Sequence, residues 1–422
     1  MRNSMNRVCM IGLGYIGLPT AAVMASRGLD VLGVDINQNA VNTINNGEIH
    51  IIEPDLDIVV RSVVTEGKLR ASTLPESADV FMVAVPTPFT DDNKPDLSYV
   101  EAAAKSIASV LEQGNLVILE STSPVGTTEK MSEWIAQARP DLKLPHQTDI
   151  GETPDIHVAH CPERVLPGQV LRELVDNDRI IGGITTGCAE AASRLYRTFV
   201  KGDCLQTSAR TAELCKLTEN ASRDVGIAFA NELSLLCEHL EIDVWELISL
   251  ANRHPRVNIL EPGPGVGGHC IAVDPWFIVD SAPKLAKLIK TARQVNDSKP
   301  VHVIDRIRNH AERFKSPTIA CFGLAFKANI DDLRESPSVE IVEALAKENI
   351  GQLLLVEPNI DELPTNLAAI AGCRKVDTEE AIRQADIIVI LVDHKPFRNI
   401  DATKFSEKIV IDTRGLFRRA TV

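Results

Sequence analysis

The pattern of apolar and polar positions divides the chain into three regions. Over the first 120 residues, short apolar runs alternate with stretches of helical spacing. Segments 7–11, 31–35, 80–85 and 116–120 read as strands, and 16–27 and 40–46 as helices, with Pro19 tolerated in a first turn. Strands separated by helices predict parallel βαβ units and a doubly wound sheet of Rossmann type. From Thr211 to about His239 the spacing is helical throughout, with no proline and one glycine, Gly226. More helical sequence follows at 244–251 and 283–298. The strand pattern then restarts at 318–323, 352–357, 386–392 and 408–412, around a helix at 338–348. The expected fold class is therefore α/β: a Rossmann domain over 1–208, a central all-α part over 209–300, and a smaller Rossmann-like domain over 315–422. The long central helix between two α/β parts is a candidate dimer seam.

Composition narrows the function. With 422 residues, 44% hydrophobic and 24% charged, the chain has ordinary globular usage. Its net charge of −14 argues against a broad surface for nucleic acid or an anionic membrane. No stretch approaches the ~20 apolar residues of a membrane span. The nine cysteines are scattered, with no C-x-x-C pair. They read as reduced thiols of a cytoplasmic protein rather than a disulfide or metal framework, and no metal is expected.

Candidate chemistry starts at Gly12-Leu13-Gly14-Tyr15-Ile16-Gly17, which fits G-x-G-x-x-G between an expected strand and helix. Glycines there let the turn close and let a pyrophosphate approach the helix N-terminus. Asp35 ends the next strand, at the spacing of a ribose-binding acid. It would repel a 2′-phosphate, and Ile36-Asn37-Gln38 supplies no arginine, so NAD is favoured over NADP. Thr87, and Thr122 within 121–127, leave other strand ends. They suit either ligand contact or ordinary turn chemistry. Cys270 follows the glycines 265, 267 and 268, and Asp274 lies four residues on. A thiol on such a loop suits a nucleophile, whereas the other eight cysteines read as small core residues. On the long helix, Lys216, Asn220 and Arg223 share one face, either as a solvated stripe or as a catalytic lysine with a binding pair. Glu163-Arg164 and His254-Pro255-Arg256 could bring charge to an anionic substrate.

Together these motifs resemble the UDP-glucose/GDP-mannose dehydrogenase family, over essentially the whole chain. The supporting stretches are Ser121–Gly126, Cys161-Pro162-Glu163-Arg164-Val165-Leu166-Pro167-Gly168, Phe326-Lys327 and Arg334-Glu335-Ser336-Pro337. Gly267-Gly268-His269-Cys270-Ile271-Ala272-Val273-Asp274 looks like the N-acetylhexosamine branch, with His269 and Val273-Asp274 where UDP-glucose members carry Ser and Lys-Asp. The resemblance implies an NAD-binding domain, a helical homodimerisation core and a UDP-sugar domain. It also implies oxidation of a sugar CH₂OH to a carboxylate through a cysteine thiohemiacetal and thioester. The branch belongs to bacterial surface-polysaccharide synthesis of the enterobacterial common antigen type.

Roles follow by matched position. Cys270 would be the nucleophile, with Lys216 the acid/base or the cation facing a developing oxyanion, shared by Asn220. Asp274, Thr122 and Glu163 would orient a water and tune the base. Gly12, Gly14, Tyr15, Ile16, Gly17, Asp35, Thr87 and Thr122 would line NAD, with Arg334 reaching it from the C-terminal domain. Arg164, Val165, Lys216, Asn220, Arg223, His254, Arg256, Gly263, Phe326, Lys327 and Arg414 would hold a UDP-N-acetylhexosamine, Arg256 reaching across the dimer. The segment after Glu163 lacks the further acid of UDP-glucose members. The manno, gluco and galacto sugars stay open. So do a two-electron dehydrogenase of the 6-phosphogluconate type and a non-catalytic NAD-binding scaffold.

Overall fold

The computed structural model describes residues 5–417 except 91, 150, 167 and 269. Pro167 and His269, both part of the quoted motifs, therefore lie outside the described residues. The chain forms two compact units, Met1–Glu219 and Asn220–Val422. The 31-residue helix Ala209–His239 begins in the first and ends in the second.

The first unit is built on an eight-stranded sheet. Its strands are β1 (Arg7–Ile11), β2 (Asp30–Val34), β3 (Leu69–Ser72), β4 (Val80–Val83), β5 (Leu116–Leu119), β6 (His157–His160), β7 (Arg179–Gly183) and β8 (Cys204–Ser208). Their order is β3-β2-β1-β4-β5-β6-β7-β8, parallel except between β6 and β7. The Rossmann expectation holds, with its reversal of strand order between β1 and β4. Along β1, Val8 and Met10 enter the core on one face while Cys9 and Ile11 enter the other. That alternation explains why β1 is apolar throughout: a parallel sheet covered on both faces has no wet side.

The second unit carries β9 (Thr318–Phe322), β10 (Gln352–Val356), β11 (Cys373–Lys375), β12 (Ile387–Ile390) and β13 (Ile409–Asp412). All pairs are parallel, in the order β11-β10-β9-β12-β13. The architecture is α/β, with two parallel-sheet domains and helices between them in sequence, as expected.

One difference concerns a helix. The spacing predicts an end at Ser298, before Pro300; the helix instead runs Lys287–Ala311, with Pro300 inside it. An internal proline costs about 3 kcal/mol. Beyond it, Val303, Ile304 and Ile307 are buried in the second sheet's core. Each such burial contributes roughly 1.5–3 kcal/mol. Three of them outweigh the proline.

The two sheets repeat one local device. Gly12 has φ +92° and its N–H donates to Val34 O at 2.8 Å. The next amide, Leu13 N, donates to Asp35 Oδ2 at 2.9 Å, and Asn37 N to Asp35 Oδ1 at 2.9 Å. In the second unit Gly323 has φ +90° and donates to Val356 O at 2.8 Å. Leu324 N then donates to Glu357 Oε2 at 2.7 Å, and Asn359 N to Glu357 Oε1 at 3.1 Å. In both, an acid at the end of the second strand ties down the turn after the first. Asp35 is half-buried, whereas Glu357 is buried beneath His394.

Candidate active site

In the first unit, the glycines of the first turn meet the demands of a dinucleotide. A methyl group at Gly12 would fall 2.4 Å from Ala84 O, and one at Gly17 would fall 1.8 Å from Gly12 O. These two close the turn against β4 and the helix. At Gly14 nothing lies within 4 Å of the same position, so the backbone faces open space that a pyrophosphate can approach. Tyr15 is exposed beside it. Helix Gly17–Ser26 starts without a side-chain cap at Ile16 and without an acid in its first turn. Its dipole is left for an anion. The residues of the turn thus fit NAD, and both Asp35 oxygens accept from its backbone amides.

Two further loops leave the same strand ends. Thr87 Oγ1 donates to Thr122 O, and Ser121 Oγ to Val85 O at 2.7 Å, joining the β4 and β5 loops. Beneath them Glu120 is fully buried. Burial lifts its pKa to about 7, against the pull of the Arg179 guanidinium. Glu213 of the long helix was not expected at the site. It accepts from Gly126 N at 2.6 Å and from Thr128 N and Oγ1 at 2.7 and 2.6 Å. It therefore caps helix Thr127–Ala138 and fixes the Thr122 loop, and burial pushes its own carboxyl upward.

Also in this unit, Lys216 Nζ meets Glu163 Oε1 at 3.1 Å, with side chains 9% and 11% exposed. The other Glu163 oxygen accepts from Val165 N at 2.9 Å. Arg164 pairs with Glu219 at 2.7 Å. The shared helix face predicted for Lys216, Asn220 and Arg223 is graded in exposure: Lys216 is buried, Asn220 half-buried, and Arg223 exposed.

In the second unit, Cys270 is the one exposed cysteine of the nine. Burial drives the thiols of Cys9, Cys161 and Cys321 up to about 12, which keeps them inert. Cys270 lies one turn before helix Asp274–Ser281, and its carbonyl accepts from Asp274 N at 2.9 Å. Buried Asp274 accepts from Asn220 Nδ2 at 2.6 Å. The glycines before Cys270 leave room for Phe326 and for the Glu335–Pro337 segment. A methyl group would fall 2.9 Å from the Phe326 ring at Gly268 and 2.3 Å from Glu335 O at Gly267.

Gly263 and Arg414, distant in sequence, meet: a methyl group at Gly263 would lie 2.6 Å from Arg414 Nη1. Asp393 holds that guanidinium at 3.0 Å. Arg334 is paired with Asp332 through two bonds, at 2.9 and 2.6 Å. Lys327, His254 and Arg256 are exposed.

A buried polar network underlies this loop. Arg293 Nη1 donates to Asp224 Oδ1 at 2.6 Å, Asn296 Nδ2 to the same oxygen at 2.8 Å, and Asn231 Nδ2 to Asn296 Oδ1 at 2.8 Å. Asn231 Oδ1 in turn accepts from Gly263 N at 2.9 Å. Removing one partner would strand the others in a dry interior.

Comparison with known proteins assigns the whole chain. Residues 6–200, 210–298 and 320–419 match, in turn, the NAD binding, central and UDP binding domains of the UDP-glucose/GDP-mannose dehydrogenase family. The chain belongs to this family. It is an NAD-dependent nucleotide-sugar dehydrogenase. An NDP-N-acetyl-D-galactosaminuronic acid dehydrogenase of Ralstonia nicotianae is 64% identical over 410 residues, 97% of this chain and 96% of that one. A UDP-N-acetyl-D-mannosamine dehydrogenase of Campylobacter jejuni is 62% identical over 403 residues, 95% and 98% of the two chains. Among solved structures, a UDP-N-acetyl-mannosamine dehydrogenase from S. aureus superposes with a TM-score of 0.83 at 43% identity, covering 99% of this chain and 96% of that one. Among the described residues no helix is long and apolar enough to cross a membrane.

Proposed function

We propose that this member oxidises C6 of UDP-N-acetyl-D-mannosamine to the carboxylate of UDP-N-acetyl-D-mannosaminuronate. The observation that carries the reading is Cys270, the one exposed thiol, held on a glycine loop against Phe326. The names of the Campylobacter and S. aureus relatives supply the sugar. NAD⁺, held by the Gly12–Gly17 turn, would supply the hydride acceptor for both oxidations. Lys216 and Asn220 serve the alcohol oxygen as it loses its proton, with Glu163 as partner of the lysine. The Cys270 thiol then adds to the aldehyde: a C–S bond forms and the carbonyl oxygen takes the proton. Oxidation of this thiohemiacetal gives a thioester. Water, oriented by Asp274 and Thr122, breaks the C–S bond and returns the thiol. Arg164, Val165, Arg223, His254, Gly263, Phe326, Lys327 and Arg414 bind the UDP-sugar, and Arg334 the cofactor. The sequence borders 1–208, 209–300 and 315–422 mark the corresponding parts, and the activity belongs in the cytoplasm, in surface-polysaccharide synthesis.

The Ralstonia relative favours a second reading, a galacto-configured substrate. An absorbance assay against UDP-ManNAc, UDP-GlcNAc and UDP-GalNAc separates them. Two NADH per UDP-ManNAc, with the highest kcat/KM of the three, is the expected result. A higher kcat/KM for UDP-GalNAc overturns the manno assignment, and one NADH per sugar overturns the thioester route.

The same reading includes a homodimer through the central helices, with Arg256 crossing to the second copy. Phe229, Leu236 and Leu240, spaced i, i+7 and i+11, stand 53%, 49% and 60% exposed, with Leu250 of the next helix at 64%. Apolar side chains so exposed support an association face here. Light scattering at micromolar concentration should give twice the 46.1 kDa of one chain. A mass of one chain would refute the dimer.

A further inference from the structure

The loop 324–329 of the second unit carries Phe326 and Lys327 at its middle. Its two ends are held by the two members of one buried pair. At the start, Leu324 N and Ala325 N both donate to Glu357 Oε2, at 2.7 and 3.1 Å. At the finish, Asn329 N donates to His394 Nδ1 at 2.9 Å. His394 Nε2 and Glu357 Oε2 are 3.0 Å apart, and both side chains are fully buried. Asn329 stands in the left-handed region, φ +63°, and its Oδ1 accepts from Lys395 N at 2.8 Å. The turn is thus tied to the segment after β12 twice.

These bonds decide where the imidazole proton sits. The group facing Nδ1 is a backbone N–H, which can only donate, so Nδ1 must accept. Asn359 Nδ2, 2.9 Å from Nδ1, is a second donor. The proton therefore lies on Nε2, directed at Glu357. Burial works to raise the Glu357 carboxyl. The bonds from His394, Leu324 and Asn359 outweigh it and hold the carboxyl below its usual range. Glu357 thus stays an anion that orients the ring, much as carboxylates fix the tautomer of catalytic and metal-bound histidines.

A glycine turn locked by an acid needs no histidine, because the first sheet does without one. Asp35 makes the corresponding two bonds and keeps its outer side half-open. The histidine in the second sheet therefore does something further. Its ring packs edge-on against Phe397, and its Nδ1 reaches a group that Glu357 does not, the far end of the Phe326 loop.

We propose that His394 and Glu357 are positioning residues for nucleotide-sugar binding: the Nε2–H tautomer set by Glu357 fixes Asn329, and so holds Phe326 and Lys327 in their binding arrangement. This rests on the reading of Phe326 and Lys327 as UDP-sugar contacts. Phe326 also packs on Gly267 and Gly268, just before Cys270, so the same clamp steadies the nucleophile's loop.

Two substitutions separate the two ends of the ring. In His394→Asn the side-chain carbonyl can occupy the Nδ1 position and still accept from Asn329. In His394→Gln the amide reaches the Nε2 position and still bonds Glu357, but Asn329 N–H is abandoned. The expected result is a KM for UDP-sugar raised about tenfold in His394→Gln, the scale of one lost hydrogen bond. In His394→Asn it should stay within about twofold of wild type, and the KM for NAD⁺ should be unchanged in both. Equal KM values for UDP-sugar in the two variants, or parallel changes in both KM values, overturn the proposal. A wild-type enzyme that turns over no UDP-sugar instead overturns the functional reading beneath it. A measurement on wild type needs no variant to fold: ¹⁵N-histidine spectra should show His394 in the Nε2–H form. A protonated Nδ1 overturns the proposal.

Discussion

Cys270→Ser is expected to lower turnover by several powers of ten while leaving UDP-sugar affinity nearly unchanged. Serine keeps the size of the side chain but replaces a strong nucleophile and good leaving group with a poor one. The thioester becomes an ester that water opens slowly, or the second oxidation stalls. Each power of ten is about 1.4 kcal/mol of barrier, so the loss is one of transition-state stabilisation. The exposed wild-type thiol should react with iodoacetamide, and UDP-sugar should protect it. The buried thiols should not react, since burial holds Cys9, Cys161 and Cys321 near 12. A serine variant that still yields two NADH per sugar near the wild-type rate would sink the covalent route.

Lys216→Met should cost turnover by about 10²–10⁴, the range of a positioned acid or base. It should also cost stability, because Glu163, held on its other oxygen by Val165 N–H, is left as a nearly buried carboxylate without its lysine. Breaking such a pair from one side costs about 3–5 kcal/mol when burial is complete, and somewhat less here. The double variant Lys216→Met/Glu163→Gln separates the two effects. Its urea midpoint should return toward wild type while its turnover does not. Turnover that recovers with stability would reduce Lys216 to a structural cation.

The cofactor turn was legible because its requirements are local. Gly12 must adopt φ +92°, Gly17 has no room for a side chain, and Asp35 must sit one βα unit later. Cys270 was legible from its glycines, which the close approach of Phe326 and the Glu335–Pro337 segment requires. The edge strands β3 and β8 were missed because half-wet edges carry mixed residues: Leu-Arg-Ala-Ser and Cys-Leu-Gln-Thr-Ser. Glu213, Asp224, Asn231 and Arg293 were missed for a different reason. A polar residue in a helix reads as solvated until its partner is known, and the buried partners named above lie from 32 to 87 residues away. The Glu357–His394 pair, 37 residues apart, has no sequence period at all.

The repeated glycine–acid turn has a consequence for the order of events. In the first sheet the acid's outer side is half-open; in the second the acid is buried against an imidazole. Of the two turns, one is left able to seat a dinucleotide, while the proposed reaction removes two hydrides from one sugar. The chain must therefore empty and refill that seat midway through each turnover. Whatever holds the half-oxidised sugar has to outlast the exchange. In the proposed route the tether at Cys270 would work as a timer as well as a nucleophile: its lifetime against loss of aldehyde would set how slowly the cofactor can be replaced before the intermediate escapes.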